Sequence, residues 1–139
     1  MDHTTTMHTL YERINAGDID GFGALLADDL VEHEELPGQA QTKEGTLEFF
    51  RGLRVSFPDM NMAVEDVITS DAKSVARVVF TGTHRGAFMG VPPSGNTVDV
   101  HLIDIMRFDD AGLVSEHWGV LDSMTLMQQL GVVPDGPPA

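Results

Sequence analysis

The stretch TVDVHLIDIMRFDDAGLVSEHWGVL, residues 97–121, decides the fold class of this chain. Residues 97–108 alternate as a long strand. DDAG, residues 109–112, predicts a tight turn, and LVSEHWGVL predicts the closing strand of a hairpin. Because successive side chains of a strand point to opposite faces, the hairpin presents two different faces, and one of them can enclose a site.

Working outward from the hairpin, the upstream sequence predicts two more strands, within residues 60–70 and 74–86. Before Pro58 the spacing is helical: a first helix stops at Gly17, and a second and a third begin after Asp18 and Thr42. DDLVEHEEL, residues 28–36, is a short extended segment, and a last helix covers about Ser123 to Leu130. Three helices, four antiparallel strands and a helix indicate an α+β fold, in which a curved, cone-shaped sheet and the N-terminal helices enclose a pocket.

Composition limits the functions that are compatible with the chain. Its 139 residues suit a single domain, with a flexible tail over about 132–139. The formal net charge of −14 disfavours nucleic acid and anionic membranes as partners. There is no cysteine, no basic apolar leader and no long apolar run, so we expect a cytoplasmic protein without a membrane segment.

Four segments together resemble the SnoaL-like polyketide cyclase family, also called ester cyclases, over about Met7 to Gly131. They are FPDMNMAVEDV (57–67), TGTHRGAFMGVPPSGNTV (81–98), HLIDIMRF (101–108) and EHW with LMQQLG (116–118 and 126–131). The resemblance implies the cone-shaped α+β fold of the nuclear transport factor 2-like superfamily. It also implies an intramolecular aldol condensation without metal or cofactor, in which an aspartate acts as acid and base.

The resemblance transfers only in part to individual residues. The acid/base aspartate of the family falls on Gly119, two residues after His117, and the aspartate that matches is Asp122. An active-site histidine of the family falls on Asp104, three residues before the matching Arg107. A polar pocket residue falls on Glu32 or His33, and an apolar one on Ile14.

Asp104 is the strongest catalytic candidate from the residues themselves. Strand parity places it with Leu102 and Met106 on one face, and places His101, Ile103 and Ile105 on the other. If the Leu102 face is concave, desolvation raises the pKa of Asp104 towards that of a general base. The alternative is a carboxylate that pairs with Arg77 or Arg107.

Three further residues are catalytic candidates, each with a structural alternative. His117 can shuttle a proton near neutral pH, or form a half-buried bond to a carbonyl. Asp122 can assist Asp104, or cap the last helix. His33 lies at the expected pocket mouth, or belongs to a solvated acidic run.

We expect no metal site, because VEHEE (31–35) has no second histidine at helical spacing. The expected substrate-binding residues are those that would line the pocket or cover its mouth. They are Ile14, Glu32, Phe88, Met89, Leu102, Met106 and Trp118, of which Trp118 can equally be core.

These observations leave three hypotheses open. The first is a cofactor-independent acid/base enzyme, an aldol-type cyclase, isomerase or dehydratase, acting on a small apolar carbonyl or polyketide-like compound. The second is a non-catalytic protein that binds a small hydrophobic ligand. The third is a partner domain whose sheet face mainly forms a homodimer, and a homodimer or higher homo-oligomer is expected in any case.

Overall fold

The computed structural model describes residues 1–134, and within them the chain forms four helices and five strands. The elements in chain order are α1 (His3–Asn15), α2 (Ile19–Gly23), β1 (Leu26–Glu32), α3 (Lys43–Ser56), β2 (Asn61–Ser70), β3 (Lys73–Thr83), β4 (Thr97–Phe108), β5 (Val114–Leu121) and α4 (Ser123–Gln129). No helix of this described part is long and apolar enough to cross a membrane. Of the tail predicted at 132–139, residues 135–139 lie outside the described residues, whereas the Val132 amide donates to the Met127 carbonyl.

The α+β fold is confirmed, but the sheet differs from the predicted four antiparallel strands. It is a curved, mixed sheet of five strands in the order β1-β5-β4-β3-β2. The segment predicted only as extended supplies β1, which pairs in parallel with β5, while the other neighbours are antiparallel. The strands β1 and β5 are more than eighty residues apart, so the periodicity of either segment alone cannot reveal the pairing.

Local signals set the helix boundaries. Asp18 and Thr42 cap α2 and α3 as predicted, since their side chains accept hydrogen bonds from the amides of Gly21 and Gly45. Helix α1 begins earlier than its apolar stripe, because Asp2 accepts from the Thr5 amide. It ends before Gly17, whose φ of 77° suits glycine.

The core lies between the concave sheet face and the helices α1, α2 and α3. In β4 every second side chain is buried, from Val98 to Phe108, and this inner set includes Asp104. Helix α1 packs Leu10 and Tyr11 against this face with almost no exposure. The predicted strand parity is therefore confirmed, and it directs one carboxylate of β4 into an otherwise apolar interior.

Candidate functional site

A cavity of about 100 Å³ lies between the concave sheet face and the helices. Its surface is mostly apolar, with contributions from all four helices, all five strands and the loops after β1 and β3. Five of the seven predicted substrate-binding residues lie on its wall: Ile14, Glu32, Phe88, Leu102 and Met106.

The strand register brings three polar side chains from distant parts of the chain to this cavity. Met106 of β4 is paired with His117 of β5, and His117 is paired in parallel with Glu32 of β1. Asp104 lies two residues from Met106 and therefore on the same face. Asp104, His117 and Glu32 thus come from three neighbouring strands and all face inward.

These side chains form a continuous hydrogen-bonded chain. His117 Nε2 lies 2.7 Å from Asp104 Oδ1, and His117 Nδ1 lies 2.6 Å from Glu32 Oε1. The Tyr11 hydroxyl donates to Asp104 Oδ2 at 2.5 Å. We call Tyr11, Glu32, Asp104 and His117 the polar cluster. Both oxygens of the Asp104 carboxylate therefore accept a hydrogen bond within the cluster.

His117 is the cationic member of the polar cluster. Burial lowers its pKa, but hydrogen bonds to Asp104 and Glu32, together with their negative charges, outweigh burial and raise the pKa from 6.5 to about 10. His117 is therefore an imidazolium at neutral pH and donates through both ring nitrogens. The predicted proton shuttle near pH 7 does not match this charge state.

Tyr11 was not among the predicted site residues. Its place on the apolar stripe of α1 indicated a core residue, and it is indeed buried. Burial, the charge of Asp104 and the hydrogen bond to it raise the pKa of Tyr11 well above 10.0. The available signal was a lone tyrosine on a core stripe, because a buried hydroxyl needs a partner.

Glu34 is a second residue that the sequence interpretation missed. It lies two residues beyond Glu32, and its amide donates to Glu32 Oε1 at 2.9 Å. Its half-buried side chain lines the cavity. Burial raises its pKa, with further increases from Asp104 and Glu32 that oppose the lowering by His117. The acidic run VEHEE therefore has inward members, Glu32 and Glu34, at alternate positions.

Glu34, Asp104 and His117 are also the group that can hold a metal ion within residues 1–134. Each offers a ligand atom within 4.8 Å of the others. Both ring nitrogens of His117 already bind carboxylates, so a metal ion would have to replace one of two short hydrogen bonds. The arrangement fits proton transfer without any such replacement.

Two predicted residues lie on the outer side of the sheet. The His33 ring stacks on Trp118 with 4.8 Å between centroids, and its Nε2 lies 2.9 Å from Glu116 Oε2. Neither His33 nor Trp118 lines the cavity. The reason is parity: each is one residue from an inward side chain, Glu32 and His117 respectively, and a shift of one residue changes the face.

Asp122 and Met89 are also outside the cavity. Asp122 is exposed and caps α4, accepting from the amide and hydroxyl of Thr125 at 3.2 and 2.7 Å. Met89 is 43% exposed on the loop after β3, where its φ of 47° helps turn the chain away from the interior. The structure does not bring either residue to the polar cluster.

Gly119 takes the position on which the family resemblance would place an acid/base aspartate. It is paired with Asp104 across β4 and β5, so it faces the cavity. A Cβ atom there would lie 1.8 Å from Glu34 Oε1. The space that a side chain of residue 119 would need is thus filled by the Glu34 carboxylate.

Comparisons with known proteins agree with this architecture. IdmH of Streptomyces antibioticus, a candidate polyketide cyclase, is 34% identical, with 95% of this chain and 100% of that chain covered and a TM-score of 0.81. TsrD of Streptomyces laurentii is 28% identical, with 94% of this chain and 95% of that chain covered and a TM-score of 0.85. AclR of Streptomyces galilaeus, a candidate hydroxylase, is 29% identical, with 97% of this chain and 84% of that chain covered and a TM-score of 0.84.

The amino-acid sequence shows the family of the chain. No curated protein matches the chain. The family model for the SnoaL-like polyketide cyclases matches residues 4–130, nearly the whole chain. The chain belongs to the SnoaL-like polyketide cyclase family.

Proposed function

We propose that the protein is a cofactor-independent acid/base enzyme that closes a ring by intramolecular aldol condensation. The substrate is a small, flat, apolar carbonyl compound, and an aromatic polyketide is its specific form. The observation that supports this proposal best is the chain of short hydrogen bonds from Tyr11 through Asp104 and His117 to Glu32, on the wall of an apolar cavity. Titratable groups with strongly shifted pKa values in a cavity are typical of catalytic sites.

Asp104 and His117 form the charged pair at the centre of this proposal. Glu32 orients the imidazolium from the far side, and Tyr11 fixes the carboxylate, so neither group can rotate without losing a hydrogen bond. A carboxylate paired with an oriented histidine is a recurrent arrangement for proton transfer. The cation also stabilises negative charge that develops on a substrate oxygen when a neighbouring C–H is deprotonated.

The cavity suits a ligand with an apolar body and few polar groups. Aromatic and aliphatic side chains dominate its wall. The Gln39 amide also lines it, and its buried oxygen has no hydrogen-bond partner among residues 1–134, so it is available to a ligand hydroxyl. At about 100 Å³ the cavity is smaller than the roughly 150 Å³ that holds benzene in an engineered protein. A fused-ring substrate therefore requires side chains such as half-buried Leu36 to move.

The proposal is tested by turnover of an aromatic polyketide β-keto ester, with an enzyme-free reaction as the baseline. We expect Asp104→Asn to lower kcat by about 100-fold or more, because the pair loses its negative charge. The matched control is Asp99→Asn, an exposed aspartate on the opposite face of the same strand, which should leave kcat unchanged. Rates with and without EDTA should agree.

The outcomes separate the proposal from its alternative. Urea unfolding of both variants shows whether each is folded at the assay temperature. Wild-type acceleration that Asp104→Asn retains in full would remove Asp104 from the chemistry. No acceleration by the wild type, with saturable binding of the same ester, would instead favour a non-catalytic protein that binds small hydrophobic ligands.

A further inference from the structure

The Glu34 carboxylate and the absence of a side chain at Gly119 are two parts of one arrangement. Gly119 is in the interior of β5, where glycine weakens a strand by roughly 0.5–1 kcal/mol relative to alanine. Its φ is not positive, so the backbone conformation does not require glycine. Such a glycine marks a place where another group approaches closely.

The approaching group is Glu34. A Cβ atom on residue 119 would lie 1.8 Å from Glu34 Oε1, 3.0 Å from Glu34 Cδ and 3.0 Å from His117 Cε1. A side chain on residue 119 and the inward carboxylate of Glu34 therefore exclude each other. The glycine keeps the position beside the imidazolium open for Glu34.

Glu34 and Asp104 differ in their hydrogen bonds. Asp104 accepts from Tyr11 and from His117, one bond to each oxygen. The Glu34 carboxylate has no hydrogen-bond partner among residues 1–134, although it faces the same cavity. Burial raises the pKa of Glu34, which favours a base that can both accept and return a proton. Of the two carboxylates, only Glu34 has both oxygens free of hydrogen bonds to residues 1–134.

We infer that Glu34 is the catalytic carboxylate that exchanges a proton with the substrate, in the space that Gly119 leaves open. This inference rests on the proposed aldol function and assigns its proton-transfer step. Asp104, His117, Glu32 and Tyr11 then form the charged network behind Glu34, and His117 stabilises the substrate oxyanion.

The step balances without an oxidant, reductant or further reactant. Glu34 takes a proton from the carbon between two carbonyls, and the C–H electron pair becomes an enolate. The enolate carbon attacks a further carbonyl carbon of the same molecule, which is neither of the two that flank it. One C–C bond forms, and the π electron pair of the attacked C=O moves to its oxygen. That oxygen takes the proton back from Glu34, which returns to the carboxylate.

The first test compares Glu34→Gln with Glu35→Gln, the same change at the exposed neighbouring residue that does not line the cavity. We expect Glu34→Gln to lower kcat by about 100-fold or more with little change in KM, because an amide cannot accept the proton. Glu35→Gln should match the wild type. Wild-type kcat and an unchanged pH profile in a folded Glu34→Gln variant would overturn the inference.

The second test moves the carboxylate. Glu34→Ala combined with Gly119→Asp removes the overlap and supplies a carboxylate from β5, so it should recover turnover relative to Glu34→Ala alone. Gly119→Asp alone should be less active than the double variant, because its side chain must displace the Glu34 carboxylate, the end of a flexible side chain. If the folded double variant is no more active than Glu34→Ala, a carboxylate in the space beside Gly119 is not what turnover requires.

The two proposals fail in different ways. If the wild type does not accelerate ring closure, the proposed function fails, and a fully active Asp104→Asn variant removes Asp104 from the chemistry. If the wild type is active, Asp104→Asn is inactive and Glu34→Gln is fully active, only the role of Glu34 fails.

Discussion

His117 lies between two buried carboxylates, and this placement makes it part of the stability of the fold as well as of the site. Its side chain binds Glu32 and Asp104 at 2.6 and 2.7 Å. These partners raise its pKa in the folded state above the unfolded value of 6.5, to about 10. A raised pKa means that the folded state binds the proton more tightly than the unfolded chain does.

The corresponding prediction concerns the pH dependence of the free energy of unfolding. The stabilisation from protonated His117 is fully present below pH 6.5 and is lost as pH rises towards about 10. We expect the wild type to lose several kcal/mol over this interval and His117→Gln to show a much flatter dependence. Urea unfolding at half-unit pH steps measures both. Parallel curves for the two proteins would contradict the shifted pKa.

For individual residues, the sequence predicts which face of a strand a side chain occupies. It does not predict contacts between residues that are distant in the chain. Asp104 could be placed inward because its neighbours on β4 alternate, and the family resemblance supported the same position. Tyr11 and Glu34 were missed because the residues they approach, Asp104 and Gly119, are far away in sequence. His33 was predicted at the pocket mouth and Trp118 on the pocket wall, but each lies one residue from an inward side chain and points to the opposite face.

Helix α3 shows how tightly the elements around the cavity approach one another. Its first turn lies against the loop after β1, which carries Gln39, and a Cβ on Gly45 would lie 1.9 Å from the Ala40 carbonyl oxygen. Gly52 lies on the exposed side of the same helix, with no atom within 4 Å of its Cβ position. Helix α3 therefore has one glycine, Gly45, with no room for a side chain, and another, Gly52, with ample room.

We expect opposite effects when each glycine is replaced by alanine. Gly45→Ala should destabilise the protein, because the Ala40 backbone must move and the loop lining the cavity moves with it. Gly52→Ala should stabilise it by about 0.5–1 kcal/mol, since alanine favours the helix. Urea unfolding of both variants checks this. Equal midpoints for the two would show that the close approach at Ala40 is absent.

The elements themselves were largely predictable because their signals are local. Caps at Asp18 and Thr42, the stop at Gly17 and the alternation of β4 lie within a few residues of the features they define. The parallel pairing of β1 with β5 was not predictable, since it depends on the path of the whole chain. That pairing is also what places Glu32 beside His117.

The outer face of the sheet carries exposed apolar side chains. Its exposed apolar residues include Ile68, Ile103 and Val120, which we call the outer patch, with exposures of 63%, 36% and 70%. Ile103 and Val120 are directly paired across β4 and β5. We propose that this patch forms the interface of a homodimer, as the alternation of β4 first indicated.

The prediction is that Val120→Lys weakens a dimer that the wild type forms. Burying a lysine charge in the interface is unfavourable, so the variant should shift towards the mass of one chain. Val55→Lys is the control, because Val55 has the same 70% exposure but lies on α3, away from the sheet face. Sedimentation over a range of concentrations measures the masses. A wild type that is monomeric at every concentration would refute this interface.

We also expect the polar cluster and Glu34 to act as an electrostatic filter. Glu32, Glu34 and Asp104 place three carboxylates around the single imidazolium of His117, so negative charge is in excess inside a poorly solvated cavity. A free acid that enters is repelled, whereas its neutral ester is not. We therefore expect the cavity to prefer the neutral ester to the free acid, although the two differ little in shape, and a lower KM for the ester would show this preference.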